Sequence, residues 1–126
     1  MNKWLFAMLG MSGLLMALPA AAHHSFAMFE LTRSVQLKGT VKEVQWTNPH
    51  CFIQVLVPAP SGPAQWSIEM HSPLDMYRAG WRPRSFKPGD KVTVVINPLR
   101  DGTLGGRLVS AVTPDGRSLT DMRPQK

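Results

Sequence analysis

Five short segments of alternating hydrophobicity, a change of side-chain parity inside the first, and one helical segment between the third and fourth predict a mainly β fold. That strand count and helix position match a small five-stranded OB-like Greek-key barrel. A strand shared by both halves of such a barrel must bend sharply, and bulges and glycines permit the bend. An open β-sandwich carrying a short helix is the competing architecture.

The chain opens with Lys3, runs apolar from Trp4 to Leu18 and closes with Pro19-Ala20-Ala21-Ala22 ahead of His23. A charged start, an apolar middle and a small-residue exit are the parts of a cleavable secretory signal peptide. The apolar run is shorter than the ~20 residues that a membrane-spanning helix takes, so cleavage after Ala22 is expected over a retained anchor. No twin arginine precedes the run, and no cysteine follows the cleavage point to accept a lipid. The expected organisation is a signal peptide at 1–22, an arm at 23–33, a barrel at 34–119 and a polar tail at 120–126, acting in the periplasm.

The chain carries 14 basic and 8 acidic residues, a net charge of +6, and loss of Lys3 with the signal leaves +5. Such a charge attracts anionic ligands and equally keeps a protein in solution. An exported chain does not routinely meet nucleic acid, so none is expected as a partner. Cys51 is the single cysteine, which rules out an internal disulfide and leaves the fold to rest on its core.

Val35, Leu37 and Val41 share one strand parity, with Gly39 between them, and Val44 and Trp46 share the other, which requires a bulge near Lys42-Glu43. Pro49 has no amide hydrogen for a ladder, so Thr47-Asn48-Pro49-His50 is read as a turn. Ile53, Val55 and Val57 mark the second strand, and Pro58 to Pro63 the tip of a hairpin. Trp66, Ile68 and Met70 give the third strand its buried face. Ser72 caps a short helix with Pro73 in its first position and Gly80 at its exit. Val92, Val94 and Ile96 define the fourth strand. Asp101-Gly102 and Gly105-Gly106 mark a turn, Arg107 to Thr113 the fifth strand, and Pro114-Asp115-Gly116 a last reversal.

Several segments together carry a family resemblance: Ala22-His23-His24-Ser25-Phe26-Ala27-Met28-Phe29, Leu37-Lys38-Gly39-Thr40-Val41, Trp46-Thr47-Asn48-Pro49-His50 and Lys87-Pro88-Gly89-Asp90-Lys91-Val92. The chain resembles the short exported bacterial proteins catalogued as domain of unknown function 6152, over nearly all of its length beyond the signal. The resemblance implies no established activity. His71 stands where that family's Glu-Met-x-Ser-Pro stretch is expected to hold a small residue, and Cys51 is particular to this chain.

Cleavage after Ala22 makes His23 the new N-terminus, whose amine and imidazole form a chelate for one metal ion. His24 and His50 are candidate further ligands. Copper(II) favours such nitrogen donors, and neutral imidazoles are available above about pH 6.5. Cleavage one residue earlier gives Ala22-His23-His24, with histidine in third place, which is also a copper-chelating arrangement. Against this stands a plain alternative, in which the two histidines ride on a mobile arm without metal and His50 is polar filling at a turn. Cys51, Met70 and Met76 are soft donors for copper(I), but a lone cysteine at a strand start is first a small core residue.

A second constellation sets Trp46, Trp66 and Trp81 beside Arg78, Arg82 and Arg84. Trp66 belongs with the core by parity, whereas Trp81 with Arg82 and Arg84 is the candidate ligand-binding surface; the other role for Trp81 is a plug closing the barrel end. Glu69 and His71 share a strand face, yet no nucleophile, base and orienting acid are placed together, and no phosphate loop or zinc motif occurs. The expected function is therefore noncatalytic binding of a partner protein or small anionic ligand, with copper chelation at the N-terminal histidines. A dedicated copper-binding or copper-delivery protein is the alternative, and an enzyme using a His-ligated metal comes third.

Overall fold

The computed structural model describes residues 26–121; the expected signal peptide, His23, His24 and residues from 122 onward lie outside them. Six strands, β1 (Val35–Gln45), β2 (Phe52–Val57), β3 (Ala64–Glu69), β4 (Lys91–Pro98), β5 (Gly105–Val112) and β6 (Ser118–Thr120), accompany one helix, α1 (Pro73–Arg78). The sheet runs β3-β2-β1-β4-β5-β6, and a parallel pairing of β3 with β5 closes the first five strands into a barrel. The helix lies between β3 and β4, so the OB-like order expected from the sequence is the one observed.

β1 spans both halves of the barrel. Its first part pairs with β4 from Val35 to Thr40, and its second with β2 from Thr40 to Gln45. The register slips between Val41 and Glu43, leaving Lys42 unmatched, which is the bulge that the parity change requires. At the bend, a Cβ on Gly39 would lie 2.4 Å from the Leu56 carbonyl oxygen and 2.7 Å from Val55 Cγ1. Only a residue without a side chain lets the two strands approach there.

Inside the barrel Val41, Ile53, Val55, Ile68, Met70, Val94, Ile96 and Leu108 pack with Cys51. One end is closed by Met76 of α1, by Phe86, and by Trp81, which is only 1% exposed. The Trp81 indole N–H donates to the Thr120 carbonyl at 2.8 Å, so its one polar atom is satisfied at the buried site. Ser72 caps α1 by accepting from the Asp75 amide, Pro73 starts it, and Gly80 leaves it at φ 97°, as the sequence predicts. Trp66 is half-buried at the edge of the core.

Two segments go beyond what the strand pattern foretells. The end of the chain contributes β6, which pairs with β5 through Ser110–Thr120, Ala111–Leu119 and Val112–Ser118, so the ordered structure runs past 119 to a buried Asp121. The N-terminal arm is docked on the barrel. It makes a 3-10 turn at Phe26–Met28, buries Phe29 in a bridge to Leu99, and is held by Glu30 N–H to Pro98 O and Arg100 N–H to Met28 O. The Arg100 side chain adds bonds to the Ala27 carbonyl and the Glu30 carboxylate.

The Gly39→Ala substitution places a methyl group against backbone that cannot move without opening the β1–β2 pairing. It is expected to lower the unfolding free energy by about 2 kcal/mol or more, measured by urea denaturation. An unchanged midpoint would show that the bend has room to spare.

Candidate functional site

The outer faces of β1, β2 and β3 carry a row of amides that satisfy one another. Gln54, buried on this face, donates to Gln45 and Ser67 and accepts from Gln65, whose own carbonyl accepts a hydrogen bond from Lys42. Toward the loop end of β2 and β3 this amide network gives way to histidine and carboxylate side chains. Phe52 pairs with Glu69; beyond it the Met70 amide donates to the Cys51 carbonyl, and the Cys51 amide to the His71 carbonyl. His50, Glu69 and His71 are thereby set at the ends of two adjacent strands.

The two imidazoles take different carboxylates. His50 Nδ1 contacts Glu69 Oε1. His71 Nδ1 lies 2.5 Å from Asp121 Oδ2, while the His71 backbone N–H donates to Asp121 Oδ1 at 3.1 Å. Arg107, opposite Glu69 in the β3–β5 register, donates its Nη2 to Asp121 Oδ2 at 3.3 Å. The Asp121 side chain is 3% exposed, against 22% for His71 and 18% for Arg107. Three donors converge on one buried carboxylate, as a buried charge requires. The Arg107 guanidinium also stacks on the Phe26 ring at 4.9 Å, tying the docked arm to the cluster.

The His71 imidazole is held above its ordinary value of 6.5, first by the hydrogen bond to Asp121 and then by that carboxylate's charge; burial and Arg107 oppose the shift. Cys51 is fully buried, and burial pushes its thiol upward, so it is a protonated core residue, not a soft metal ligand or nucleophile.

The surface anticipated at Trp81, Arg82 and Arg84 is not assembled. Trp81 is the plug of the barrel end, because its indole finds a partner in β6 that spacing could not reveal. Arg82 turns back on its own loop, donating to the Tyr77 and Trp81 carbonyls and covering the Tyr77 ring at 3.7 Å. Of the three, Arg84 remains outward, beside a shallow depression shared with Lys87, Asp90, Asp115 and Arg117. Of the anticipated metal ligands, His23 and His24 lie outside the described residues, and His50 is paired with Glu69. Among the described residues no three His, Cys, Asp or Glu side chains are grouped to hold a metal ion. No motif in the sequence marks Asp121 or Arg107. The one signal the sequence holds is apolar Leu119 after the Pro-Asp-Gly reversal, which fits the returning strand of a hairpin.

An OB-like barrel with a carboxylate-centred cluster at the β3–β5 seam is thus the class of protein that fold and geometry define. The family model described as Family of unknown function (DUF6152) matches residues 13–108, and the chain belongs to that family. No curated protein and no solved structure matches it. No helix of the described residues is long and apolar enough to cross a membrane.

The cluster makes two expectations testable. Asp121→Ala strands two cationic partners and is expected to cost about 3 kcal/mol of stability, read from denaturant unfolding. Because the folded-state value of His71 is raised, the stability it contributes is full below its ordinary value of 6.5 and is lost as pH climbs through the raised one. The stability gap between the parent and His71→Gln should therefore be wider at about pH 5.5 than at about pH 8.5; a gap independent of pH would contradict the ion pair.

Proposed function

We propose that this chain is a small, noncatalytic, exported binding module that works in the periplasm after cleavage behind Ala22 and chelates copper(II) through His23 and His24. The observation that carries this reading is the docked arm. Backbone bonds at Met28 and Glu30, the buried Phe29 and the Phe26–Arg107 stack anchor residues 26–30, the segment that follows the histidine pair in sequence. A chelate built on an anchored segment loses less conformational freedom on binding than one on a free tail. The new amine and neighbouring imidazoles supply the nitrogen donors that copper(II) prefers. A binding role is further supported by the state of the ionisable groups on the barrel: each imidazole is committed to a carboxylate, and the only cysteine is sealed in the core.

A second reading, recognition of a small anionic ligand or an acidic partner protein, is favoured by a different observation. Arg84, Lys87 and Arg117 surround one exposed depression, although Asp90 and Asp115 share its rim and Arg117 is bound to Asp115. The net positive charge of the trimmed chain acts in the same direction.

Intact-mass measurement of the protein recovered from the periplasm should give a chain starting at His23. Copper(II) titrated into it should bind at least tenfold more tightly than into a His23→Ala variant, a difference of about 1.4 kcal/mol. A full-length cytosolic chain, or binding that ignores the substitution, rejects the copper reading.

A further inference from the structure

The outer face of the sheet, where β1, β4 and the end of β5 meet, carries a basic groove. In the β1–β4 register Lys38 lies opposite Thr93 and Thr40 opposite Lys91. Their neighbours Leu37, Val41, Val92 and Val94 point into the core, so these four side chains point outward, with the two lysines on a diagonal of about 7–8 Å. Exposed Val112, opposite Thr93 on β5, continues the row. With Pro58 and Pro114 they line an open depression of about 670 Å³.

A second depression, of about 280 Å³, holds Arg84, Lys87 and Arg117 and shares Asp90 and Pro114 with the first, so the two adjoin as one track. Its carboxylates are already engaged. Asp90 accepts the Lys87 backbone N–H at 2.8 Å, and Asp115 takes the Thr113 hydroxyl and the Arg117 guanidinium. Lys91 donates to the neutral Thr40 hydroxyl at 2.8 Å. Among the described residues the side chains of Lys38, Arg84 and Lys87 make no hydrogen bond or ion pair, whereas Arg82, Arg100 and Arg107 are bonded within the fold. Five cations, Lys38, Arg84, Lys87, Lys91 and Arg117, thus face two acids, and the track attracts an extended anion.

Two further observations select the kind of anion. Single-stranded nucleic acids are held by stacking their bases on rings, and no aromatic side chain lines either depression. A peptide instead brings backbone hydrogen-bonding groups, and β1 has an open edge to receive them. Val41 exchanges backbone bonds with Gly89 and Asp90 on the β4 side, so strand alternation turns the N–H and C=O of Thr40 and Lys38 the other way. Thr40 meets Leu56 there, but β2 ends at Val57 and Pro58 has no N–H to offer, so the pairing stops short of Lys38. A lysine on an open edge discourages apolar and basic strands and suits an acidic one.

From the unpaired cations, the adjoining depressions and this edge we infer that the track docks an extended acidic segment of a partner protein. Its carboxylates pair with Lys38, Lys91, Lys87 and Arg84, and its backbone meets the β1 edge at Lys38. The inference rests on the second reading above, extends it from the Arg84 depression to Lys38 and Lys91, and is independent of copper.

The test is fluorescence anisotropy of a dye-labelled peptide of alternating glutamate and valine, added to the purified protein at low salt. The peptide is expected to bind, its glutamine counterpart to fail, and added salt to weaken the complex. Lys38→Glu, Lys91→Glu and Arg84→Glu are each expected to lower the affinity about tenfold. In the unsubstituted protein the backbone amide signals of Lys38 and Val112 should shift in the NMR spectrum on titration, a readout that does not depend on how a variant folds. No binding, or shifts confined to other parts of the barrel, overturns the inference. So does a single-stranded oligonucleotide or a phosphatidylglycerol vesicle held as tightly as the peptide. Loss in Arg84→Glu alone, with both lysine variants binding like the parent, overturns it while leaving the smaller depression as the anion site. Binding indifferent to all three substitutions removes both readings.

Discussion

Three residue pairs in parallel register, Ser67 with Gly105, Ile68 with Gly106 and Glu69 with Arg107, close the sheet on itself, and the rest of the molecule depends on that seam. Without it β3 and the first part of β5, which β6 does not reach, are free edges offering unpaired backbone groups. The closure is sterically demanding. A side chain on Gly106 would meet the Asn97 carbonyl oxygen of β4 at 2.6 Å and one on Gly105 the Ser67 carbonyl oxygen of β3 at 2.9 Å, so the glycine pair is needed for β5 to lie against both neighbours. Once the seam is made, Ile53, Ile68, Ile96 and Leu108 share one enclosed interior, and a short chain without a disulfide acquires a core.

The seam also decides where charge collects. Parallel pairing puts Arg107 beside Glu69 and directs its guanidinium to Asp121, whose backbone follows directly on β6. β6 is short, yet with the residue that follows it the strand supplies three things: Leu119 to the core, the Thr120 carbonyl to the Trp81 indole, and the Asp121 carboxylate to His71 and Arg107. Two histidines at adjacent strand ends are thereby divided between two acids. Glu69 serves His50 rather than His71, although Glu69 and His71 share a strand parity, because Asp121 has already claimed the second ring.

What the sequence disclosed was governed by local rules. The bulge at Lys42, the bend at Gly39, the Ser72 cap and the alternation in β2 to β4 each follow from neighbours a few positions apart, and each is found where the pattern puts it. Trp81 was harder to place because it lies in a loop, where no strand period says which way a side chain points. Its burial is settled by Phe86, Met76 and the β6 carbonyl, none of which is visible from composition. Asp121 escaped for a related reason: a three-residue strand near a polar end carries too few alternations to be distinguished from a tail. The docking of the arm likewise depends on Arg100, about seventy residues away in sequence.

Cys51 sits in the wall of this enclosure, with its backbone bonded to Met70 and His71 and its sulfur shut off from water. In an oxidising environment such a thiol is protected by geometry alone, since a disulfide partner or alkylating reagent must first reach it. The rate at which it reacts therefore records how often the β2–β3 end breathes. Nature has left one internal reporter in the wall of the barrel, and its modification marks molecules whose interior has been open.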